Sequence, residues 1–298
     1  RYWTGATWST TVSTRSATPV NTDLTPYATW QYVDALLGDN WTSDTTYQIK
    51  LWAVDDLGNE EPVSTKFMIF YDTTPPVSVI NYPTNNSQLT TLNSIYGTAN
   101  GKLGGLETVE ILISSRTGTS WTDFGWYVVS NSSSGVGDIT VNWSTNTTNF
   151  NWQNGVRYRI VSRAKDNQGN YEVVRSTVEF VFDTTKPQVF IDVPANNGFY
   201  GTANSLPQIT GTATDPFPFG GAEVSGVNRV EIQISSGVGA AKRYWDGNYW
   251  ITTSSWLIVS GINPFSYPSP QWRDGTYFTI EARAYDFAGN LSNYTTHT

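Results

Sequence analysis

Three aspartates hold most of the chemistry open to this chain: Asp55, Asp166 and Asp286. Each is preceded two positions earlier by Ala53, Ala164 or Ala284, and followed three positions later by Gly58-Asn59, Gly169-Asn170 or Gly289-Asn290. Two further aspartates recur, Asp72 and Asp183, each opening an Asp-Thr-Thr-x-Pro stretch. Carboxylate and amide oxygens are hard donors suited to calcium, which takes about six to eight of them. A site built from a hairpin aspartate, the asparagine after it (Asn59, Asn170 or Asn290) and a joint aspartate would show only two or three. The same residues have a plainer use: an Asp side chain accepts bonds from the amides of its own turn, while Gly and Asn tolerate positive φ. Turn capping needs no ion, so on that reading no cofactor is required and a chelator changes little. Calcium stays open beside it.

A pair of tryptophans five residues apart also recurs: Trp3 and Trp8, Trp121 and Trp126, Trp245 and Trp250. Thr4-Gly5-Ala6 and Asp246-Gly247-Asn248 lie inside two of the pairs and are hairpin-turn material, so the rings are expected to flank a tight turn. Left exposed beside Asn and Asp, such rings could stack on sugars. Packed, they are cross-strand partners that each bury ~150–250 Å². Occurrence in every copy favours packing. Asp55-Asp56 and Glu60-Glu61 sit on a repeated hairpin and read as solvated loop charge rather than paired acid–base catalysts. His297 is the single histidine and has no recurring partner, and neither a Ser–His–Asp arrangement nor a Gly-rich phosphate loop is present, so no enzyme is expected. Asn40, Asn85, Asn131, Asn142, Asn146, Asn290 and Asn293 each open an Asn-x-Ser/Thr triplet, a glycosylation acceptor only where the producing cell glycosylates its surface proteins.

The element that must carry the hairpin aspartates is a strand repeated three times, at 40–59, 151–170 and 271–290. Trp41, Trp152 and Trp272 stand fourteen positions before the aspartate, Tyr47, Tyr158 and Phe278 six after the tryptophan, and Ile49, Ile160 and Ile280 two further on. Apolar and polar residues alternate up to the aspartate, the period of a half-buried strand that ends in a hairpin. The three tryptophans are read as covering the base of that strand. The two Asp-Thr-Thr-x-Pro stretches lie 111 residues apart, a fitting length for one β-sandwich, and each follows an aromatic-rich strand (66–71, 178–182) and precedes a β-branched one (77–80, 189–193). Pro at such a point makes a short, stiff joint. Within a module come a Pro-Asn turn, a strand ending Gly97-Thr98-Ala99 or Gly211-Thr212-Ala213, and a strictly alternating strand at 108–113 or 229–234. No segment has a convincing helical period. The expected fold is all-β: tandem immunoglobulin-like β-sandwiches joined by short Pro-containing linkers, with 1–72 a partial module lacking its first strands, 73–183 a complete one, and 184–298 a module lacking its last strand.

Composition narrows the function classes. The 298 residues include no cysteine, one methionine and one histidine, which removes disulfide scaffolds and Cys-based metal sites. A formal net charge of −8 argues against nucleic acid and anionic membrane surfaces as partners. Only 14% of residues are charged, so hydroxyls and amides carry solubility, the composition of an extracellular protein. No apolar run approaches the ~20 residues of a membrane-spanning helix.

The Asp-Thr-Thr-x-Pro joint, the Ala-x-Asp-x-x-Gly-Asn hairpin and Gly-Thr-Ala together resemble bacterial immunoglobulin-like and fibronectin-III-like tandem repeats of large secreted surface proteins. The likeness covers the whole chain. The third module matches best, with Ser225-Gly226-Val227 before its third strand where the second has Gly104-Gly105-Leu106. It implies a non-catalytic structural repeat of a prokaryotic cell-surface fibre, filament or sheath, whose partners are flanking modules or other copies. The alternative is an adhesin or carbohydrate-binding array that meets surface glycans through its aromatic hairpins. Incomplete outer modules are expected to be completed by flanking sequence of a longer array, and residues 1–71 to fray when the chain stands alone.

Overall fold

The computed structural model describes residues 1–19, 30–62, 64–131, 137–218, 220 and 223–298. Alternation in the sequence becomes alternation in burial. Along Val156–Asp166 the side chains of 158, 160, 162, 164 and 166 are buried and those between them are not. That strand is central in a five-stranded sheet ordered Ser120–Val128, Leu106–Thr117, Val156–Asp166, Ser176–Phe182 and Ser87–Leu89, the last pair parallel. A second sheet, ordered Ser130–Asn131, Thr140–Asn146, Ser94–Asn100 and Val77–Tyr82, presents its inner face to the first. Ile95, Val109, Ile111, Trp143, Tyr158, Ile160 and Phe180 close the core between them. Two antiparallel-rich sheets over one shared core make a β-sandwich.

Residues 188–297 repeat the plan with a separate core around Ile209, Ile232, Ile234 and Phe265. Its sheets run Gln188–Val193, Gln208–Thr214, Phe265–Pro268, Ser260–Gly261 and Trp250–Ile251, Arg243–Trp245, Val227–Ser236, Phe278–Asp286, Thr295–His297. Of a last strand, Thr295–His297 pairs with Ile280–Ala282. The Gly of each Gly-Thr-Ala has a steric cause. A Cβ on Gly97 would collide with the Val79 carbonyl and the Trp143 ring, and one on Gly211 with the Phe190 carbonyl and the Phe265 ring.

The described residues of 1–71 include three antiparallel strand pairs: Tyr2–Trp3 with Trp8–Ser9, Thr18–Pro19 with Trp30–Gln31, and Thr45–Leu51 with Thr65–Tyr71. None of the described residues in this stretch is buried. A run of ring contacts, Trp8 on Tyr47 (5.0 Å) and Trp41 on Tyr47 (4.3 Å) and Tyr71 (5.9 Å), joins two of the pairs. One helical turn, Ala35–Gly38, follows Asp34, whose carboxylate accepts the Leu36 amide at 3.0 Å. Four residues are too few for a 3.6-residue period to be visible in sequence.

The middle sandwich holds a buried polar group that the third replaces with two apolar residues and a serine. Glu172 accepts the Ser78 amide at 2.7 Å, the Ser78 hydroxyl at 2.5 Å and the Ala164 amide at 2.9 Å, and Ser78 Oγ meets Ser162 Oγ at 2.7 Å. By register the third sandwich has Val189, Ala282 and Ser292 at these places, with the Ser292 hydroxyl accepting the Ala284 amide. Burial raises the Glu172 carboxyl above its ordinary range. Glu172→Ala strands two buried amides and is expected to cost about 3 kcal/mol. Ser78→Val, Ser162→Ala and Glu172→Ser together should recover most of that loss in urea unfolding. A triple variant no more stable than the single one would refute the equivalence.

Candidate metal centre

The hairpin aspartates cap their turns in all three copies. Asp55 Oδ1 accepts the amides of Leu57 and Asn59 at 2.9 and 2.8 Å, Asp166 Oδ1 those of Gln168 and Asn170, and Asp286 Oδ1 that of Asn290 at 2.7 Å. In each, the asparagine amide donates to the other carboxylate oxygen, at 2.7–2.8 Å. Gly58, Gly169 and Gly289 take φ of 85°, 91° and 94°, where a side chain is strained. The copies differ in surroundings. Asp55 is exposed, and the Asn59 amide bonds hold its carboxyl below the usual range. Asp166 and Asp286 are buried. There the asparagine amide reaches further, to the carbonyl of the preceding joint aspartate: Asn170 to Asp72 O at 3.1 Å and Asn290 to Asp183 O at 3.0 Å.

At the second joint this brings carboxylates together. Oxygens of Asp183, Asp215 and Asp286 all lie within 4.8 Å of one another. Asp183 is fixed by the Thr185 amide on Oδ1 (2.9 Å) and the Ser225 amide on Oδ2 (2.6 Å), Asp215 Oδ2 by the Gly226 amide (2.7 Å). Asp215 Oδ1 is buried with no hydrogen-bond partner among the described residues. Every ion pair among the described residues uses a glutamate, so none neutralises this group. Burial, with the charges of Asp183 and Asp286 added, pushes the Asp215 carboxyl up to about 6. Burial and the Asp183 charge also raise Asp286. An all-oxygen donor set with three negative charges and an orphaned buried oxygen fits a hard divalent cation such as calcium.

The first joint is built differently. Asp72 and Asp166 stand where Asp183 and Asp286 do, but Gly101 holds the position of Asp215. Asp72 Oδ1 accepts the Thr74 amide at 2.7 Å while Oδ2 is buried without a partner among the described residues. Burial, then the charges of Asp166 and Asp44, raise its carboxyl. A Cβ on Gly104 would strike Asp72 Oδ2 and Gln168 Oε1. Sequence reading missed Asp215 because it occurs once. Its only mark is the Thr-Asp after Gly211-Thr212-Ala213, where the middle module has Asn-Gly.

The tryptophan pairs divide. Trp3 faces Trp8 and Trp245 faces Trp250 across a turn, with ring centroids 5.5 and 5.6 Å apart. Trp121 and Trp126 depart from the expected turn. Both lie on the strand Ser120–Val128, whose hairpin turn precedes Trp121, since Thr117 pairs with Ser120. There Arg159 covers Trp121 and Arg163 covers Trp126, each 3.9 Å from the ring centroid. Among the Asn-x-Ser/Thr residues, Asn142 and Asn293 are exposed, Asn85 and Asn146 accept backbone amides (Glu179 and Thr148), Asn40 donates to the Leu36 carbonyl, and Asn290 is engaged at the joint. The side chain of Asn131 lies outside the described residues.

A raised Asp215 means that the folded state binds its proton more tightly than the unfolded chain does. Without divalent ions its stabilising contribution is complete below about pH 3.9 and is lost as pH climbs through about 6. The chelated protein should therefore lose stability between pH 4 and 7, and Asp215→Asn should flatten that part of the profile in thermal melts. An unchanged slope in Asp215→Asn would contradict the burial seen here.

A comparison with protein-family models gave no match, and a comparison with curated proteins gave none either. Solved structures similar to this chain include the fibronectin(III)-like modules of Clostridium thermocellum CbhA, 18% identical over 74% of this chain and 91% of that one, TM-score 0.37. They also include a tetra-tandem repeat from the extending region of a large adhesion protein, 16% identical over 90% of this chain, TM-score 0.30. A third is a Ca2+-stabilized adhesin by which an Antarctic bacterium reaches out and binds ice, 10% identical over 91% of this chain, TM-score 0.33. The chain spans 59% of each adhesin chain. The chain is thus similar to fibronectin-like modules and to tandem adhesin repeats.

Proposed function

We propose that this chain is a non-catalytic run of spacer modules, 1–72, 73–183 and 184–298, in an extracellular prokaryotic surface fibre, filament or sheath, with flanking modules as its partners. The observation that carries this reading is that the second joint is gripped from both sides. Behind it, Asn154 accepts the Thr184 amide at 2.8 Å and donates to Thr185 Oγ1 at 2.9 Å. Ahead of it, Asn290 and Ser225 hold Asp183. Glu223 adds a clasp, its amide donating to the Gly155 carbonyl at 3.1 Å and its carboxylate pairing with Arg157 at 3.2 Å. A joint held this way transmits force rather than bending freely.

Asp183, Asp215 and Asp286 are the residues that would hold a divalent cation, calcium by donor type. The bound ion would supply the positive charge that lets three buried carboxylates stay ionised side by side. Calcium is expected to raise the melting temperature by several degrees and chelator to reverse it, because a ligand of the native state stabilises it. Asp286→Asn should abolish the calcium response, and Asp55→Asn should leave it intact. Solution scattering tests the spacing: a fixed distance between the second and third modules supports the spacer reading, and a broad distribution in calcium would end it.

A further inference from the structure

The geometry points to a neutral glycan site on the outer face of the middle sandwich, centred on Tyr96 and unconnected with the tryptophan hairpins or the metal centre. The two outer faces of this sandwich differ in kind. On the five-stranded sheet, Arg157, Arg159, Arg163 and Lys165 line one strand, each paired with a glutamate at 2.7–3.2 Å. The opposite sheet presents Val77, Val79, Asn81, Tyr96, Asn142 and Ser144 outward, with no residue charged at neutral pH among them. In a depression of about 410 Å³, Asn81, Tyr96, Asn142 and Ser144 surround the floor formed by Gly97 and Trp143.

The lining says what would bind. Tyr96 is 46% exposed, and its ring is held by stacking on Tyr82, centroids 5.4 Å apart and planes 16° from parallel. Tyr82 packs in turn on the core, so the platform is fixed before any ligand arrives. Ser144 lies directly opposite Tyr96, and Asn142 sits two residues along the same strand, about 7 Å away on the same face. A ring platform with two amides and a hydroxyl matches a pyranose, which has an apolar C–H face and a rim of hydroxyls. The absence of charge from the lining selects a neutral sugar over an acidic one. The site is also particular to one module: by register the third sandwich has Asp192, Thr210, Pro264 and Ser266 in place of Asn81, Tyr96, Asn142 and Ser144. Of the two full sandwiches, only the middle one carries this lining.

Calorimetric titration with cellohexaose, laminarihexaose and mannohexaose tests it. One of the three should bind saturably, Tyr96→Ala should weaken that binding at least about tenfold, and Tyr96→Phe should keep it. Tyr96 is surface-exposed, so the Ala variant should fold, and circular dichroism checks that it does. Asn142→Ala provides a second, independent loss. No binding by any of the three sugars, or binding unaltered in Tyr96→Ala, overturns the proposal. Loss in Trp250→Ala with Tyr96→Ala unaffected overturns it too and moves recognition to the tryptophan hairpin. A glycan covalently attached to Asn142 in native material, detected by intact mass and peptide mapping, would likewise refute it by filling the depression.

Discussion

The structure depends on one asparagine amide with two hydrogens. In the buried hairpins, Nδ2 of Asn170 or Asn290 gives one hydrogen bond to its own turn aspartate and another to the carbonyl of the joint aspartate about a hundred residues earlier in the chain. Closing the hairpin and fixing the linker are therefore one event. A buried carboxylate is costly where its lone pairs go unmet, and at Asp166 and Asp286 backbone amides and the asparagine meet them. The constraint explains why Asp-x-x-Gly-Asn stands as a unit in the two buried copies. Gly supplies the left-handed φ, Asp the acceptors and Asn the bridge.

The same lock, repeated, gives two joints of different electrostatic character. Tying a joint aspartate to a hairpin aspartate sets two carboxylates side by side under burial. At the first joint the third position is Gly101, and the pair relaxes through a raised Asp72. At the second, Asp215 adds a third carboxylate and brings Ser225 and Gly226 in with it, so the loop after Gly211-Thr212-Ala213 becomes part of the linkage. Like charges this close cannot all remain ionised without a proton or a cation among them. Asp215 therefore gathers three carboxylates at this joint where the first has two, and the adjacent Glu223 clasp lies on the same loop.

Much of the fold was legible because repetition exposes what each module must keep. The strand, the hairpin, the proline joint and the Gly that admits an aromatic ring all recur, and all serve backbone geometry or core shape. The places where reading failed are those that recur in type but not in register, or do not recur at all. Trp121 and Trp126 keep the five-residue spacing of the other pairs, yet the hairpin turns before them, and the spacing places both on one strand. Asp215 and the Ser78–Ser162–Glu172 group occur in single modules, so a search for shared motifs passes over them. No periodicity in one strand reveals that Glu172 will meet Ser78 across the sandwich, since that contact joins residues 94 apart.

Those single-copy residues divide the sandwich into parts that hold and parts free to vary. The central strand cannot change its inner face without opening the core, nor its hairpin without releasing the joint. Its outer face is tied by part-buried paired charges stacked on Trp121, Trp126 and Tyr171, which together cover the sheet. The opposite sheet carries no such burden. Its inward residues Ile80, Ile95, Ala99 and Trp143 fill the core, while Val77, Val79, Tyr96, Asn142 and Ser144 face outward. A new surface can therefore arise on that outer face without opening the core beneath it.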